Sequence, residues 1–306
     1  MVQLQKPAVV YLNGGIIPWA QAQIHIGAEA VVRGISVFEG IKGYWNHDAS
    51  ELSLLALREH YERLRRSALL QYLPFSTTFE AFSGACRSLA RELLDKDRDL
   101  WLRPTLLAVE GHWGADTVTD LAITCYQQPK SRPAPIAIGI STWQRPSDAA
   151  LPARIKSAAN YQIGRLARIE GRAQGFDDMV LLNGSGRVAE ATGSCVLIVR
   201  DGCIITPPCY EGCLESITVA IVERLCRSIG IRFERRPIDR TELMIADEIG
   251  LAGTLVEIAR AKRVADRLLN TKDGLLEQVG ALYWSCVRGE HAHEAVELTP
   301  LRSALG

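Results

Sequence analysis

The 306-residue sequence predicts an α+β fold in two domains. Three observations carry that expectation. The length exceeds that of a single domain of about 100–150 residues. Strand signals rather than helical ones open the chain, and a proline-rich run separates two stretches that each hold strands and helices.

Val9-Val10-Tyr11-Leu12, followed by Asn13-Gly14-Gly15 and Ile16-Ile17, reads as a hairpin, because Asn-Gly accepts the positive φ angles of a tight reversing turn. Residues 58–70 and 78–94 carry apolar side chains at helical spacing, whereas residues 100–109 and 121–126 look like strands. Together they outline a smaller N-terminal α+β domain over residues 1–128. The run Gln127-Gln128-Pro129-Lys130-Ser131-Arg132-Pro133-Ala134-Pro135 holds three prolines and cannot form a regular helix, which puts an interdomain linker at residues 129–135. A larger C-terminal α/β domain, residues 136–306, follows. Its strand candidates are residues 136–141, 179–182, 196–199 and 203–206, with helices beginning near Ala158, Ser216, Asp273 and Arg240. The helix after Ser216 is the best marked, since Ile217, Ile221, Leu225 and Ile229 recur every four residues as one apolar stripe.

Composition narrows the function classes. Thirty-five basic residues balance 35 acidic ones, and no Lys/Arg block offers a nucleic-acid footprint, so a small-molecule partner is expected. The opening Met1-Val2-Gln3-Leu4-Gln5-Lys6 lacks a leader pattern, and no apolar run approaches the roughly 18 residues of a membrane span. The eight cysteines form no CxxC pairs and read as free thiols of a reducing, cytoplasmic compartment. Cys203, Cys209 and Cys213 are irregularly spaced with no nearby histidine, and His291-Ala292-His293 lacks a third ligand, so no metal is expected.

The chemistry concentrates in Ala153-Arg154-Ile155-Lys156-Ser157-Ala158-Ala159-Asn160-Tyr161 and in Arg187-Val188-Ala189-Glu190-Ala191-Thr192-Gly193-Ser194. These supply an amine, a phenol and a carboxylate. A lysine can form a Schiff base with pyridoxal phosphate, a carboxylate can hold the pyridine nitrogen protonated, and a tyrosine can hydrogen-bond the ring oxygen. With only seven lysines against 28 arginines, the choice of amine is narrow. Lys156 alone lies between a strand-like approach, Leu151-Pro152-Ala153, and a run of small residues, Ser157-Ala158-Ala159, that lets a ligand come close.

These segments resemble the class IV (fold type IV) pyridoxal-phosphate aminotransferases, and the branched-chain amino-acid aminotransferases most closely. The likeness extends to Ser36-Val37-Phe38-Glu39-Gly40-Ile41-Lys42, Leu57-Arg58-Glu59-His60-Tyr61-Glu62-Arg63-Leu64, Leu102-Arg103-Pro104, Leu214-Glu215-Ser216-Ile217-Thr218 and Ala252-Gly253-Thr254-Leu255-Val256-Glu257-Ile258. It implies the two-domain, D-amino-acid aminotransferase-like architecture of fold type IV, with pyridoxal 5'-phosphate in an interdomain cleft. Lys156 would bear the cofactor and shuttle the proton. Glu190, 34 residues later, would pair with the pyridine nitrogen, and Tyr161 would meet the ring oxygen. Arg63, the Ile217 and Thr218 amides at a helix start, and the Thr254 hydroxyl would cradle the phosphate. Phe38, Trp101, Arg103, Thr254, Leu255 and Arg33 would line the substrate site, with Arg103 as a carboxylate fork. The resemblance further implies a homodimer or higher homo-oligomer in which the Gly111-His112-Trp113-Gly114 loop reaches the neighbouring subunit's site.

The expected reaction passes the amino group of an L-amino acid, branched-chain substrates leading, to 2-oxoglutarate. A D-amino-acid or amine aminotransferase and a 4-amino-4-deoxychorismate lyase share Lys156 and Glu190 and stand as alternatives. The chain also departs from the family pattern. Ser216 stands where the family has Gly, Val219 where it has Arg, and Cys195 where Asn is common. Arg33 and Trp101 replace aromatic and tyrosine positions, and Tyr126-Gln127-Gln128 replaces a segment ending in a tryptophan. Arg33 either pairs with an acid or substrate carboxylate or turns outward to solvent.

Overall fold

A computed structural model describes residues 4–301. They form two units, one of residues 4–131, 155–159 and 287–301, the other of residues 132–154 and 160–286. Residues 1–3, part of the stretch read for a leader, lie outside the described residues. One boundary falls inside the proline-bearing stretch, between residues 131 and 132, but two later segments return to the first unit. Backbone pairing explains both returns. Ser157 bridges Val37, and a strand at Leu298–Pro300 pairs with an N-terminal strand.

The first unit opens with β1 (Val9–Leu12) and β2 (Gly15–Pro18), antiparallel from Val9↔Pro18 to Leu12↔Gly15. Asn13 and Gly14 take φ of 43° and 96°, the left-handed pair that a two-residue hairpin requires. A short helix α1 (Glu29–Val32) leads to β3 (Ser36–Phe38), β4 (Ile41–Asn46) and β5 (Glu51–Leu55). Helices α2 (Leu57–Leu70) and α3 (Phe79–Glu92) precede two long strands, β6 (Asp99–His112) and β7 (Ala115–Gln128). The sheet runs Leu298–Pro300, β5, β4, β6, β7, β1, β2, with β3 beside β6. Leu57 and Leu64 of α2 and Phe82 and Leu89 of α3 bury against Ile41, Leu52, Leu54, Leu100 and Leu102 of the sheet. Thr78 caps α3 by accepting the Ala81 amide at 3.3 Å. Buried Asp99 accepts Nη1 and Nη2 of Arg288, each at 2.8 Å, and the Trp45 amide at 3.0 Å, with Lys42 Nζ at 3.8 Å. That ionic cluster fastens the chain after residue 287 to the sheet.

The second unit contains β8 (Ile136–Gln144), α4 (Tyr161–Ala173), β9 (Asp178–Leu182), β10 (Val188–Ala191), β11 (Cys195–Arg200) and β12 (Cys203–Thr206). Helix α5 (Ile217–Ser228), β13 (Arg232–Arg235), α6 (Arg240–Leu243), β14 (Glu248–Gly253), β15 (Glu257–Val264), β16 (Arg267–Leu268) and α7 (Leu275–Val287) follow. The sheet order is β10, β9, β8, β15, β14, β11, β12, β13, with β16 beside β15. The pairs β8–β9, β8–β15 and β12–β13 are parallel. Val180, Val196, Ile198, Ile249 and Leu251 fill its core. A Cβ at Gly164 would collide with the Thr192 carbonyl, so glycine lets α4 lie close to the chain after β10.

Several local expectations shift. Leu151-Pro152-Ala153 is not strand-like but part of an irregular, turn-bearing approach to Lys156, because proline lacks the amide that a ladder would use. The helix expected near Ala158 begins as a 3-10 turn, Ala158–Asn160, and α6 is only four residues long. His291 and His293 lie beyond the end of α7. Among the described residues, no helix is long and apolar enough to cross a membrane.

Candidate active site

In the first unit, Lys156 is fixed by its backbone. Its carbonyl accepts the Phe38 amide at 3.0 Å, and its amide donates to the Ser67 hydroxyl at 3.1 Å. The side chain then carries Nζ to 4.9 Å from the centre of the Phe38 ring, and the Arg103 guanidinium lies 4.2 Å from the same ring. An amine, an aromatic wall and a guanidinium therefore meet around Phe38. Trp101, two residues from Arg103 and so on the same face of β6, stacks on Tyr126 at 5.5 Å. Its indole nitrogen lies 3.0 Å from where a Cβ on Gly40 would be.

Beneath this group, one face of α2 presents His60, Arg63 and Ser67. Glu39 grips Arg63 through two parallel bonds, Nε–Oε1 at 2.7 Å and Nη2–Oε2 at 2.8 Å. His60 Nδ1 stands 2.6 Å from Glu39 Oε2. All three side chains are buried. Burial pushes the Glu39 carboxyl up, but the charge and hydrogen bonds of Arg63 and His60 outweigh it and hold Glu39 well below the usual carboxylate range. Burial also lowers the His60 pKa against the opposing pull of Glu39. An ionised Glu39 can only accept, so His60 Nδ1 carries the hydrogen of their contact.

Arg33 closes α1. It pairs with Glu29 at 3.3 Å and lies 4.6 Å over the Trp113 ring, while Glu29 also accepts the Trp113 amide at 2.9 Å. Trp113 itself is 77% exposed. Arg33 thus pairs with a protein acid and is at the same time an exposed residue.

In the second unit, Glu190 lies on β10. Its Oε1 is 3.3 Å from Arg145 Nε, and its Oε2 accepts the Leu214 amide at 3.1 Å. The Cys195 thiol donates to the Leu214 carbonyl at 3.7 Å. Tyr161 begins α4 behind Asn160 at its N-cap. Ser216 caps α5, its hydroxyl accepting the Val219 amide at 3.2 Å. Helix geometry leaves the Ile217 and Thr218 amides without intrahelical acceptors, and both residues are buried. Thr254 follows β14 directly, and Leu255 beside it is exposed. A Cβ on Gly253 would stand 3.2 Å from Ser194 Cβ, so this turn sits close to the chain after β10.

The residues read from the sequence divide between the units: Lys156, Phe38, Trp101, Arg103, Arg63 and Arg33 in the first, Glu190, Tyr161, Ile217, Thr218, Thr254 and Leu255 in the second. Glu39, His60, Ser67 and Arg145 went unassigned, although Glu39 and His60 stand inside segments that carried the resemblance. Arg145 lies in none. All eight cysteines are free thiols, and no group of three or more metal-ligating side chains occurs among the described residues.

Residues 36–264 match the family model for amino-transferase class IV. A probable branched-chain-amino-acid aminotransferase of Aquifex aeolicus is 30% identical, covering 95% of this chain and 96% of the relative. Among solved structures, a branched-chain aminotransferase from Thermobaculum terrenum in its pyridoxal-phosphate form is 33% identical, with a TM-score of 0.89 over 97% of this chain and 99% of that one. The Thermoproteus uzoniensis branched-chain aminotransferase with norvaline is 30% identical, with a TM-score of 0.90 over 96% and 99%. With its lysine, carboxylate and helix-start amides set as described, the chain belongs to the class IV aminotransferases, which use pyridoxal 5'-phosphate to exchange amino and oxo groups between small acids.

Proposed function

We propose that this enzyme moves the amino group of branched-chain L-amino acids to 2-oxoglutarate. The placement of the Lys156 amine against Phe38, with Arg103 on the same ring, carries the reading. It joins a proton carrier, an apolar wall and a carboxylate fork, the set that an apolar amino acid alternating with a dicarboxylic one requires. The names of the relatives favour branched-chain donors.

The donor set fits the cofactor. A buried arginine, two helix-start amides and a threonine hydroxyl suit a phosphate, and a partly exposed carboxylate suits a protonated ring nitrogen. In this reading Arg63, Ile217, Thr218 and Thr254 hold the phosphate, Tyr161 donates to the ring oxygen, and Glu190 holds the pyridine nitrogen protonated. Lys156 would hold the cofactor, and its Nζ would carry the proton between the substrate Cα and the cofactor's C4′. Bound pyridoxal phosphate supplies the electron sink for that proton removal. Phe38, Trp101 and Leu255 shape the side-chain space, and Arg103 receives the distal carboxylate of the acceptor.

Arg63→Lys keeps a charge but loses the planar fork. At roughly 1.5–3 kcal/mol for a charge-assisted bond, cofactor affinity should fall about ten- to a hundredfold in a fluorescence titration. Unchanged affinity would remove Arg63 from the cradle.

We further read the protein as a cytoplasmic homodimer or higher homo-oligomer in which Arg33 and Glu29 brace the exposed Trp113 loop for a neighbouring subunit's site. Light scattering coupled to assay should find activity in the dimer, and an active monomer would contradict this. Arg33 already has a carboxylate partner, so it does not need a substrate acid to balance its charge. A donor panel of both enantiomers of leucine, valine and glutamate plus simple amines, run against 2-oxoglutarate, should favour the branched-chain L-acids. Arg33→Tyr should leave the leucine-to-glutamate ratio of kcat/KM within about twofold. A preference for D-acids or amines would install the alternative reading, and a several-fold shift of the ratio would put Arg33 in the substrate pocket.

A further inference from the structure

We propose that Arg145 is a positioning residue that ties Glu190 to the start of α4, so that the two polar edges of the cofactor ring are gripped at a fixed spacing. The inference rests on the functional reading of Glu190 and Tyr161 given above.

Arg145 follows β8, and its own amide is held by the Leu182 carbonyl at 2.8 Å. Its side chain is only 3% exposed, yet it reaches three separate stretches of the second unit. Nε lies 3.3 Å from Glu190 Oε1 and donates to the Gly212 carbonyl at 3.2 Å. Nη1 donates to the Asn160 carbonyl at 2.9 Å, and Nη2 to Asn160 Oδ1 at 3.3 Å. Asn160 is fixed in turn, its Nδ2 donating to the Pro152 carbonyl at 3.0 Å. Asn160 is the N-cap of α4, and Tyr161 is the first helical residue. One rigid guanidinium therefore spans from the carboxylate assigned to the ring nitrogen to the residue preceding the phenol assigned to the ring oxygen. Gly212 has φ of 97°, a conformation that glycine adopts without strain, and its carbonyl is the one offered to Arg145 Nε.

Glu190 and Glu39 each pair with a buried arginine, but they differ in access. Glu39 is sealed, whereas the Glu190 side chain keeps 14% exposure. Glu190 is thus held on one oxygen by Arg145 and on the other by the Leu214 amide. A lysine at position 145 could keep the charge but not the fork, because an ammonium is a point donor on a flexible stem.

The test is a double-mutant cycle on the whole enzyme, using Arg145→Lys, Arg145→Gln, Glu190→Gln and the combined variants. Cofactor affinity, the visible absorption of the bound cofactor with its pH titration, and thermal unfolding of the apo-protein are measured together. Arg145→Lys and Arg145→Gln should each weaken pyridoxal phosphate binding roughly tenfold and move the pH titration of the visible band. In the Glu190→Gln background the same substitutions should no longer move the titration and should weaken binding by clearly less than about tenfold, the remainder passing through Asn160 and Tyr161. A merely structural arginine would lower thermal stability and leave the titration of the folded fraction where it was. That result, or undiminished effects in the Glu190→Gln background, would overturn the inference while leaving the functional reading intact. Arg145→Lys keeps the proposal falsifiable where Arg145→Gln fails to fold. A wild-type protein that takes up no cofactor would overturn the reading of Glu190 and, with it, this inference.

Discussion

Lys156→Ala is expected to lose transamination by at least a factor of roughly 10²–10⁴, the usual worth of a positioned proton-transfer group, while the fold survives. The backbone of Lys156 does the structural work, through the Phe38 amide and the Ser67 hydroxyl, and an alanine keeps both bonds. No other lysine is disposed to substitute in the first unit's core, since Lys42 is buried 3.8 Å from the Asp99 carboxylate. A single-turnover assay with leucine and cofactor-loaded protein separates amino transfer from release. Activity within about tenfold of wild type would reject the role. Unfolding curves of the two proteins should coincide within about 0.5 kcal/mol, the usual spread for a change away from the core.

Glu39→Ala should produce the largest stability loss among the site variants, about 3–5 kcal/mol, because it strands the buried Arg63 charge. Urea unfolding at neutral pH measures it directly, and a loss below about 1 kcal/mol would mean that water or another acid replaces Glu39. The sign of the pH dependence follows from the depressed Glu39 carboxyl. A group held below its unfolded pKa of about 4.3 contributes its full stability above that value and loses it as pH falls towards the folded one. Glu39→Gln should therefore flatten the decline in stability below about pH 4. Parallel decline in both proteins would show that Glu39 is not the group being protonated.

How far the sequence discloses this molecule depends on the range of the forces involved. The β1–β2 hairpin is a local matter, set by the left-handed Asn13 and Gly14, and it was legible. So were α2, α3 and α5, whose apolar stripes and caps at Thr78 and Ser216 act within a few residues. The strands β3, β4 and β5 were not read. The β4 run Ile41–Asn46 is buried along nearly its whole length and includes Lys42, so neither alternation nor apolar continuity marks it. β14 and β15 were hidden similarly, the second by Arg260 and Lys262 within a largely buried strand. The return of Ile155–Ala159 to the first unit is set by the Val37–Ser157 bridge, a pairing across 120 residues that no local pattern encodes.

The site divides in the same way. Lys156, Glu190, Tyr161 and Arg63 stand in motif-bearing segments and were named from them. Glu39 and His60 lay in view, yet their role depends on a helix face meeting a strand end, which only the fold supplies. Arg145 carries no sequence signal. It is one arginine among 28, and its burial and four polar contacts distinguish it only in three dimensions.

Lys156 is the residue proposed to carry pyridoxal 5'-phosphate. Borohydride reduction of the cofactor-loaded protein, followed by peptide mapping, tests it most directly, since reduction makes the lysine–cofactor link permanent. The label should fall on the peptide containing Lys156. A label on Lys42 or Lys262, or an unlabelled protein, would contradict the account.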